Sequence, residues 1–381
     1  MKFGVPFEIR QHEGRVGASP LIVEELVKRG HEVFVETRAG LDSGFSDQEY
    51  EKAGAIIIPS SEKLYDQVEF VLKIRNPMPV EYDLIGPQHT IFAFFNFGNN
   101  PEMAKALISR GCSCFAYEMV TEPDGTRPIM SVNGEIAGKM AVQQGMYFLE
   151  THNGGRGVLL SRVAGARAAQ VTIIGAGSVG ISAAQIAARL GANVVLMDRN
   201  YHKLLRAQSL LPNNVTTMIS HKQNFEKILP HTDLLITAVR VIDLKATKII
   251  SRDLIKLLPQ GAVIVDVDID RGGSVETSKQ TAHETPTFNV DGVIHYCVPN
   301  LAGVVPVPAS QALCSAFLPL LTKIADLGFR EAVKADPTIR SGLAIYQGKI
   351  VNQELAEILE APFTDLNEET VEQASGEKDK S

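Results

Sequence analysis

Gly175, Gly177 and Gly180 stand in G-x-G-x-x-G spacing, directly after the apolar run VTII and directly before a stretch with helical apolar spacing. This arrangement suits phosphate. Gly175 permits a tight turn, Gly177 lets the backbone approach a pyrophosphate, and Gly180 lets helix and strand pack closely. The helix N-terminus adds N–H donors and positive dipole. Asp198 ends the next apolar run, VVLMD, where a carboxylate can bind ribose hydroxyls; this favours NAD over NADP. Arg199 beside it could accept a 2′-phosphate, so NADP stays the second choice. Another pattern is VLKIRNPMP, residues 71–79, in which an apolar run ends in two cations. Lys73 and Arg75 lie two apart, so on a regular strand both side chains leave one face.

These residues need strands and helices to hold them. FGVPF, EVFVE, FVLKI and TIFAFF have strand character, and SPLIVEELVKRG has helical spacing closed by Gly30. Strand and helix alternating at this rhythm predict a parallel sheet covered by helices. A long helix is expected over GEIAGKMAVQQGMYFLETH, then the glycine-rich unit, with further strands at TDLLITAV, GAVIVDV and VIHYCV. The first unit lacks helices for both faces of its sheet, so the C-terminal part, led by the helix SQALCSAFLPLLTKIADLG, should pack back onto it. The expected organisation is a catalytic segment over 1–127, a nucleotide-binding domain over 128–302, and a second catalytic segment over 303–371. A polar tail over 372–381 is expected to be disordered.

Composition narrows the function. The chain has 381 residues, 45% hydrophobic and 21% charged, with net charge −7 and pI near 5.8. That balance argues against nucleic acid or an anionic membrane as partner. No apolar run approaches the roughly 20 residues of a membrane span, and the N-terminus reads as no signal peptide. Cys112, Cys114, Cys297 and Cys314 form no zinc pattern and read as reduced core thiols of a cytoplasmic protein. The nine histidines form no HExxH, so no metal site is expected. His89 reads as a loop residue. Ser178 sits at a helix start in GAGSVG, not in a hydrolase elbow.

With both halves in view, the chain resembles alanine dehydrogenase, in the family shared with the NAD-binding subunit of proton-translocating transhydrogenase. GVPFEIRQHEGRVGASP resembles the N-terminal signature, and GAVIVDVDIDRGG the cofactor half; EIAGKMA, NGGRGVLL, PTF and YCVPN resemble the alanine dehydrogenase branch. The resemblance implies a Rossmann NAD-binding domain inserted in a discontinuous flavodoxin-like α/β catalytic domain, assembled as a homohexamer. It implies reversible oxidative deamination, with an amino acid or 2-oxo acid as the small-molecule partner. Arg15 matches the arginine that holds the substrate carboxylate, and Asp270 the aspartate that manages a proton. Asp266 and Asp268 are then structural neighbours. Glu13, Tyr117, Glu118 and Glu135 match positions that shape the site. The cofactor set expected is Gly175, Gly177, Ser178, Val179, Gly180, Asp198, Ala238, Val239, Ile269 and Asn300.

The chain also departs from that family. It has Arg75 where the family has lysine, and Asn96 where the family has histidine. Arginine and asparagine do not exchange protons near neutrality. Asn133, Gly134, LAGVVPVPAS and Arg240 differ too. Arg15 with Arg75 would make a doubly cationic pocket suited to an anion, Lys73 would support the fold, and ordinary alanine deamination is expected to be impaired. Three functions follow: an NAD-dependent dehydrogenase for alanine or a related amino acid; a divergent imine or carbonyl reductase for a larger or more anionic substrate; or a nucleotide-binding protein without catalysis.

Overall fold

Short runs of β-branched and aromatic residues form the strands. The computed structural model describes residues 1–239 and 248–366, so Arg240 and the expected tail lie outside the described residues. Six strands come first: β1 (Lys2–Val5), β2 (Glu32–Glu36), β3 (Ile56–Ile58), β4 (Phe70–Arg75), β5 (Thr90–Phe94) and β6 (Ser113–Ala116). Seven follow: β7 (Gln170–Ile174), β8 (Asn193–Asp198), β9 (Val215–Ile219), β10 (Leu234–Thr237), β11 (Val263–Asp266), β12 (Thr287–Val290) and β13 (Val293–Tyr296). The last two, β14 (Leu343–Tyr346) and β15 (Lys349–Ile350), rejoin the first sheet. Two compact units result, Met1–Val132 with Gly303–Ser381, and Asn133–Ala302.

In the first unit the sheet order is β15-β14-β6-β5-β4-β1-β2-β3. β1 to β6 are parallel, and β14 runs antiparallel to β6. Both sheets are doubly wound α/β. Within that class, β1 to β6 follow the 3-2-1-4-5-6 order, in which β2-β1-β4-β5-β6 is the flavodoxin-like 2-1-3-4-5 arrangement with β3 added at its edge. Strand–helix alternation fits both orders, so the sequence pattern does not choose between them. The order reverses between β1 and β4, the switch point beside whose carboxyl ends ligands bind in such sheets.

The helix Pro306–Leu327 is long and apolar enough to cross a membrane by length and composition, contrary to the sequence expectation that no such run exists. Its place in the fold explains the composition. Leu313, Phe317, Leu321 and Ile324 are buried in one core with Leu72, Phe92 and Phe115, and the Phe317 ring lies 5.7 Å from that of Phe92. The opposite face of the sheet carries a second core around Val71, Ile91, Phe95 and Leu107. All four cysteines are free and buried.

His89 lies in the loop directly before β5, as expected, and is buried there, 1% exposed. Its Nδ1 faces the Gly86 N–H at 2.9 Å, and its Nε2 the Tyr65 carbonyl at 2.9 Å, which fixes the neutral ring with its proton on Nε2. Burial lowers its pKa. The neutral form is therefore favoured by folding, and this stability is fully present above the unfolded histidine's pKa of about 6.5 and is lost as pH falls below it. Thermal unfolding should therefore show a midpoint that declines from about pH 7 to pH 5. His89→Gln should flatten that decline; an unchanged slope would remove His89 from the account.

The second sheet runs β12-β13-β11-β10-β7-β8-β9, with β12 alone antiparallel to its neighbour. From β9 to β13 this is the Rossmann order, with its switch point between β7 and β10. Asp233, fully buried below β10, takes Arg156 at 2.7 Å and Arg167 at 2.8 Å and ties the lower edge of the sheet. The helix Pro128–Phe148 approaches closely at Gly138, where a Cβ would lie 2.2 Å from the Val179 carbonyl oxygen.

Candidate functional site

At the upper end of β7 the chain turns through Gly175, whose φ is +110° and whose Cβ position would lie 2.2 Å from the Ala238 carbonyl oxygen. No other residue type fits there. The helix Ser178–Arg189 starts at once, with Gly177 preceding it and Gly180 pressed on the turn. Nothing lies within 4 Å of a Cβ placed on Gly177, so this cradle is open to a pyrophosphate. Asp198, buried at the end of β8, accepts the Ala176 N–H at 2.8 Å and the Asn200 N–H at 2.8 Å. Its carboxylate is thereby fixed beside the glycine turn. Ala238 and Val239 follow β10 and are half-buried, Ser178 is exposed, and Val179 is half-buried. This set fits a dinucleotide.

The three aspartates after β11 separate by environment. Asp266 is 1% exposed and accepts from Thr237 Oγ1, the Asp268 N–H, and the N–H groups of Ser274 and Val275. Its carboxylate serves the fold. Asp270 is exposed and accepts the Asn300 N–H at 3.1 Å. Asn300 has φ +55°, and Ile269 between them is buried. The same sheet end thus gathers the glycine turn, Asp198, Ala238, Ile269, Asp270 and Asn300.

In the first unit, Arg15 lies in the loop after β1 and Arg75 ends β4, on either side of the switch point. Arg15 is 2% exposed, and Glu13 grips it through Nε–Oε1 at 2.6 Å and Nη2–Oε2 at 2.5 Å. A guanidinium anchored by one edge keeps a fixed orientation towards a second anion. Gly17 lets this loop lie against β4, since a Cβ there would meet the Leu72 carbonyl oxygen at 2.1 Å.

Lys73 and Arg75 do not share a face as regular alternation requires. The β4–β5 register shifts between Leu72, opposite Phe92, and Arg75, opposite Phe94. The extra residue is a bulge, and it breaks the two-residue period. Lys73 is 1% exposed, 2.8 Å from Glu81 and 3.5 Å from Glu8. Burial opposes its charge, but Glu8 and Glu81 outweigh that and hold its pKa above the ordinary lysine value. Arg75 is half-buried.

Asn96 follows β5 with φ +49°, a left-handed backbone that asparagine tolerates. Buried Glu118 accepts the N–H groups of Phe95 at 3.0 Å and Asn96 at 2.7 Å and so fixes this turn. Tyr117 is buried, and its hydroxyl has no hydrogen-bond partner among the described residues. Burial pushes its pKa well up, so the phenol stays protonated. Glu135 instead pairs with Lys139 on an exposed helix face. Glu8, absent from the sequence reading, holds the backbone at Arg75; its link to β4 spans 67 residues, which no local motif signals.

A dinucleotide cradle on one doubly wound sheet, with two arginines at the switch point of another, defines a two-unit, nucleotide-dependent α/β protein. The comparisons agree. Residues 4–137 match the N-terminal domain of the alanine dehydrogenase/PNT family, and residues 141–353 its C-terminal domain. The alanine dehydrogenase of Halomonas elongata is 40% identical over 94% of this chain and 96% of its own length. A solved L-alanine dehydrogenase superposes with a TM-score of 0.89 at 39% identity, covering 94% of this chain and 99% of that one. The transhydrogenase from Sinorhizobium meliloti superposes at 0.78 with 25% identity, covering 93% and 99%. The chain belongs to the alanine dehydrogenase/PNT family.

Proposed function

We propose that this chain is an NAD-dependent amino-acid dehydrogenase that interconverts L-alanine with pyruvate and ammonia. The observation that carries the reading is similarity to alanine dehydrogenases along both halves of the chain; the roles given to Arg15 and Asp270 come from the family resemblance of the motifs around them. Bound NAD supplies the hydride acceptor. Arg15 and Arg75 hold the substrate carboxylate, and a fork of parallel N–H donors gives that grip its direction. Asn96 hydrogen-bonds the carbonyl or the attacking water. Asp270 takes and returns the proton as amine, imine and ketone interconvert.

Arg75 and Asn96 favour a second reading, reduction of an imine or carbonyl on a more anionic substrate. A panel of 2-oxo acids with ammonium and other amines separates the two. The first reading expects the highest kcat/KM with pyruvate and ammonium, and the second expects it with a dicarboxylic or larger 2-oxo acid.

The reading includes NAD over NADP, because a 2′-phosphate would meet the Asp198 carboxylate. NADH should outperform NADPH in kcat/KM, and Asp198→Gly should shrink that ratio by about tenfold or more, the size of one removed like-charge contact. A ratio unmoved by the substitution would leave Asp198 without a role in cofactor choice. It also includes a cytoplasmic location, in keeping with four free thiols, and a homohexamer, which rests on family resemblance.

A further inference from the structure

Three residues of the first unit in the proposed chemistry are each held by a buried glutamate. Glu13 grips Arg15, Glu118 takes the N–H of Asn96, and Glu8 takes the N–H of Arg75. We infer that Glu8 is a positioning residue for Arg75, charge-balanced by Lys73, and that it sets the bulge from which the Arg75 side chain is presented. The inference rests on the reading of Arg75 as a substrate-binding cation.

A bulge leaves backbone groups outside the ladder, and a buried N–H must find another acceptor. Here Glu8 Oε1 accepts the Ile74 N–H at 2.6 Å and the Arg75 N–H at 3.2 Å. An ionised carboxylate is acceptor-only and can take both donors on one oxygen. Glu8 is 5% exposed, so its charge needs a partner. Burial, helped by nearby Glu13 and Glu81, holds its pKa above the ordinary carboxylate value, and the Lys73 ammonium, 3.5 Å from Oε2, offsets part of that. Lys73 in turn reaches Glu81, whose other oxygen accepts the Met78 N–H at 2.8 Å. Lys73 therefore answers Glu8 and is not presented to substrate. Without Glu8, regular alternation from the Leu72–Phe92 pair would set Ile74 opposite Phe94 and turn Arg75 to the other face.

The test uses full-length Glu8→Ala and Glu8→Gln, with two readouts. One is kcat and KM for the 2-oxo acid that the native protein turns over best. The other is residue-resolved amide exchange at Ile74 and Arg75, which needs no turnover. Glu8→Ala should lower kcat/KM by about 10²-fold, through KM, as misplacement of a binding group does. Exchange at both amides should accelerate while NADH affinity stays native. Glu8→Gln keeps the shape and one acceptor oxygen but loses charge assistance. It should raise KM about tenfold, with faster exchange at the same two amides. If Glu8→Ala fails to fold, Glu8→Gln alone decides. Native KM and native exchange in a folded variant would overturn the inference. Should the native protein turn over no 2-oxo acid, the proposed function fails, and the exchange measurement still decides whether Glu8 holds the bulge.

Discussion

Asp270→Asn should lower turnover by about 10²- to 10⁴-fold, the span that a positioned general base contributes, while NADH binds with native affinity. The asparagine keeps the side chain's shape and an oxygen for the Asn300 N–H, which Asp270 holds at 3.1 Å. It removes the exchangeable proton site. In this chain, Arg75 and Asn96 stand at positions where a lysine and a histidine could share that work, and neither replacement exchanges protons near neutrality. The loss should therefore fall on kcat and kcat/KM alike, the pattern of an interaction made only in the transition state. Steady-state kinetics with a parallel NADH fluorescence titration reads both quantities. A native kcat would remove Asp270 from the chemistry. Asp266→Asn is the contrasting variant. Its carboxylate accepts backbone N–H groups of Asp268, Ser274 and Val275, so its signature should be reduced thermal stability.

Gly180→Ala should weaken dinucleotide binding by one to two orders of magnitude, about 10- to 100-fold. A Cβ on Gly180 would lie 1.7 Å from the Gly175 carbonyl oxygen, which is backbone and cannot rotate away. The glycine turn must open or the helix must withdraw. Overpacking of this kind costs about 1–3 kcal/mol. Expressed at the turn that receives the pyrophosphate, this is about 10- to 100-fold in NADH affinity. Gly177→Ala separates fold from ligand. Its φ is −87° and no atom lies within 4 Å of the added Cβ, so folding should be unaffected. The added methyl instead occupies the cradle, and NADH affinity should fall with no change in the melting midpoint. Calorimetric titration and thermal unfolding of both variants check this. Native affinity in Gly177→Ala would place the pyrophosphate elsewhere.

The nucleotide half of the site was legible because its signal is local. Three glycines, a preceding apolar run and a carboxylate one strand later all reside within residues 171–198. The sterics of Gly175 and Gly180 are backbone properties that only glycine satisfies, so spacing alone reveals them. Arg15, Arg75 and Asn96 needed the family resemblance, because an isolated arginine or asparagine after a strand has no pattern of its own. The relation between Lys73 and Arg75 was misread for a physical reason. A period of two holds only while the ladder is regular, and the shift that breaks it is supported by Glu8, 66 residues before Ile74. Strand order was hidden in the same way. The β1–β4 neighbourhood depends on where a crossover lands, and the flavodoxin and Rossmann orders share one alternation of elements. The apolar helix Pro306–Leu327 is another long-range case, since a core helix and a membrane span differ by their surroundings and not by their composition.

The most direct test of the central claim is the consumption of NADH by the purified full-length protein with pyruvate and ammonium together, followed by chiral quantification of the product. The account predicts turnover that requires all three reactants and yields L-alanine in equal amount to the NADH consumed. NADH binding without consumption, or consumption only with a different 2-oxo acid or amine, would contradict it and assign Arg75 and Asn96 to another reaction or to none.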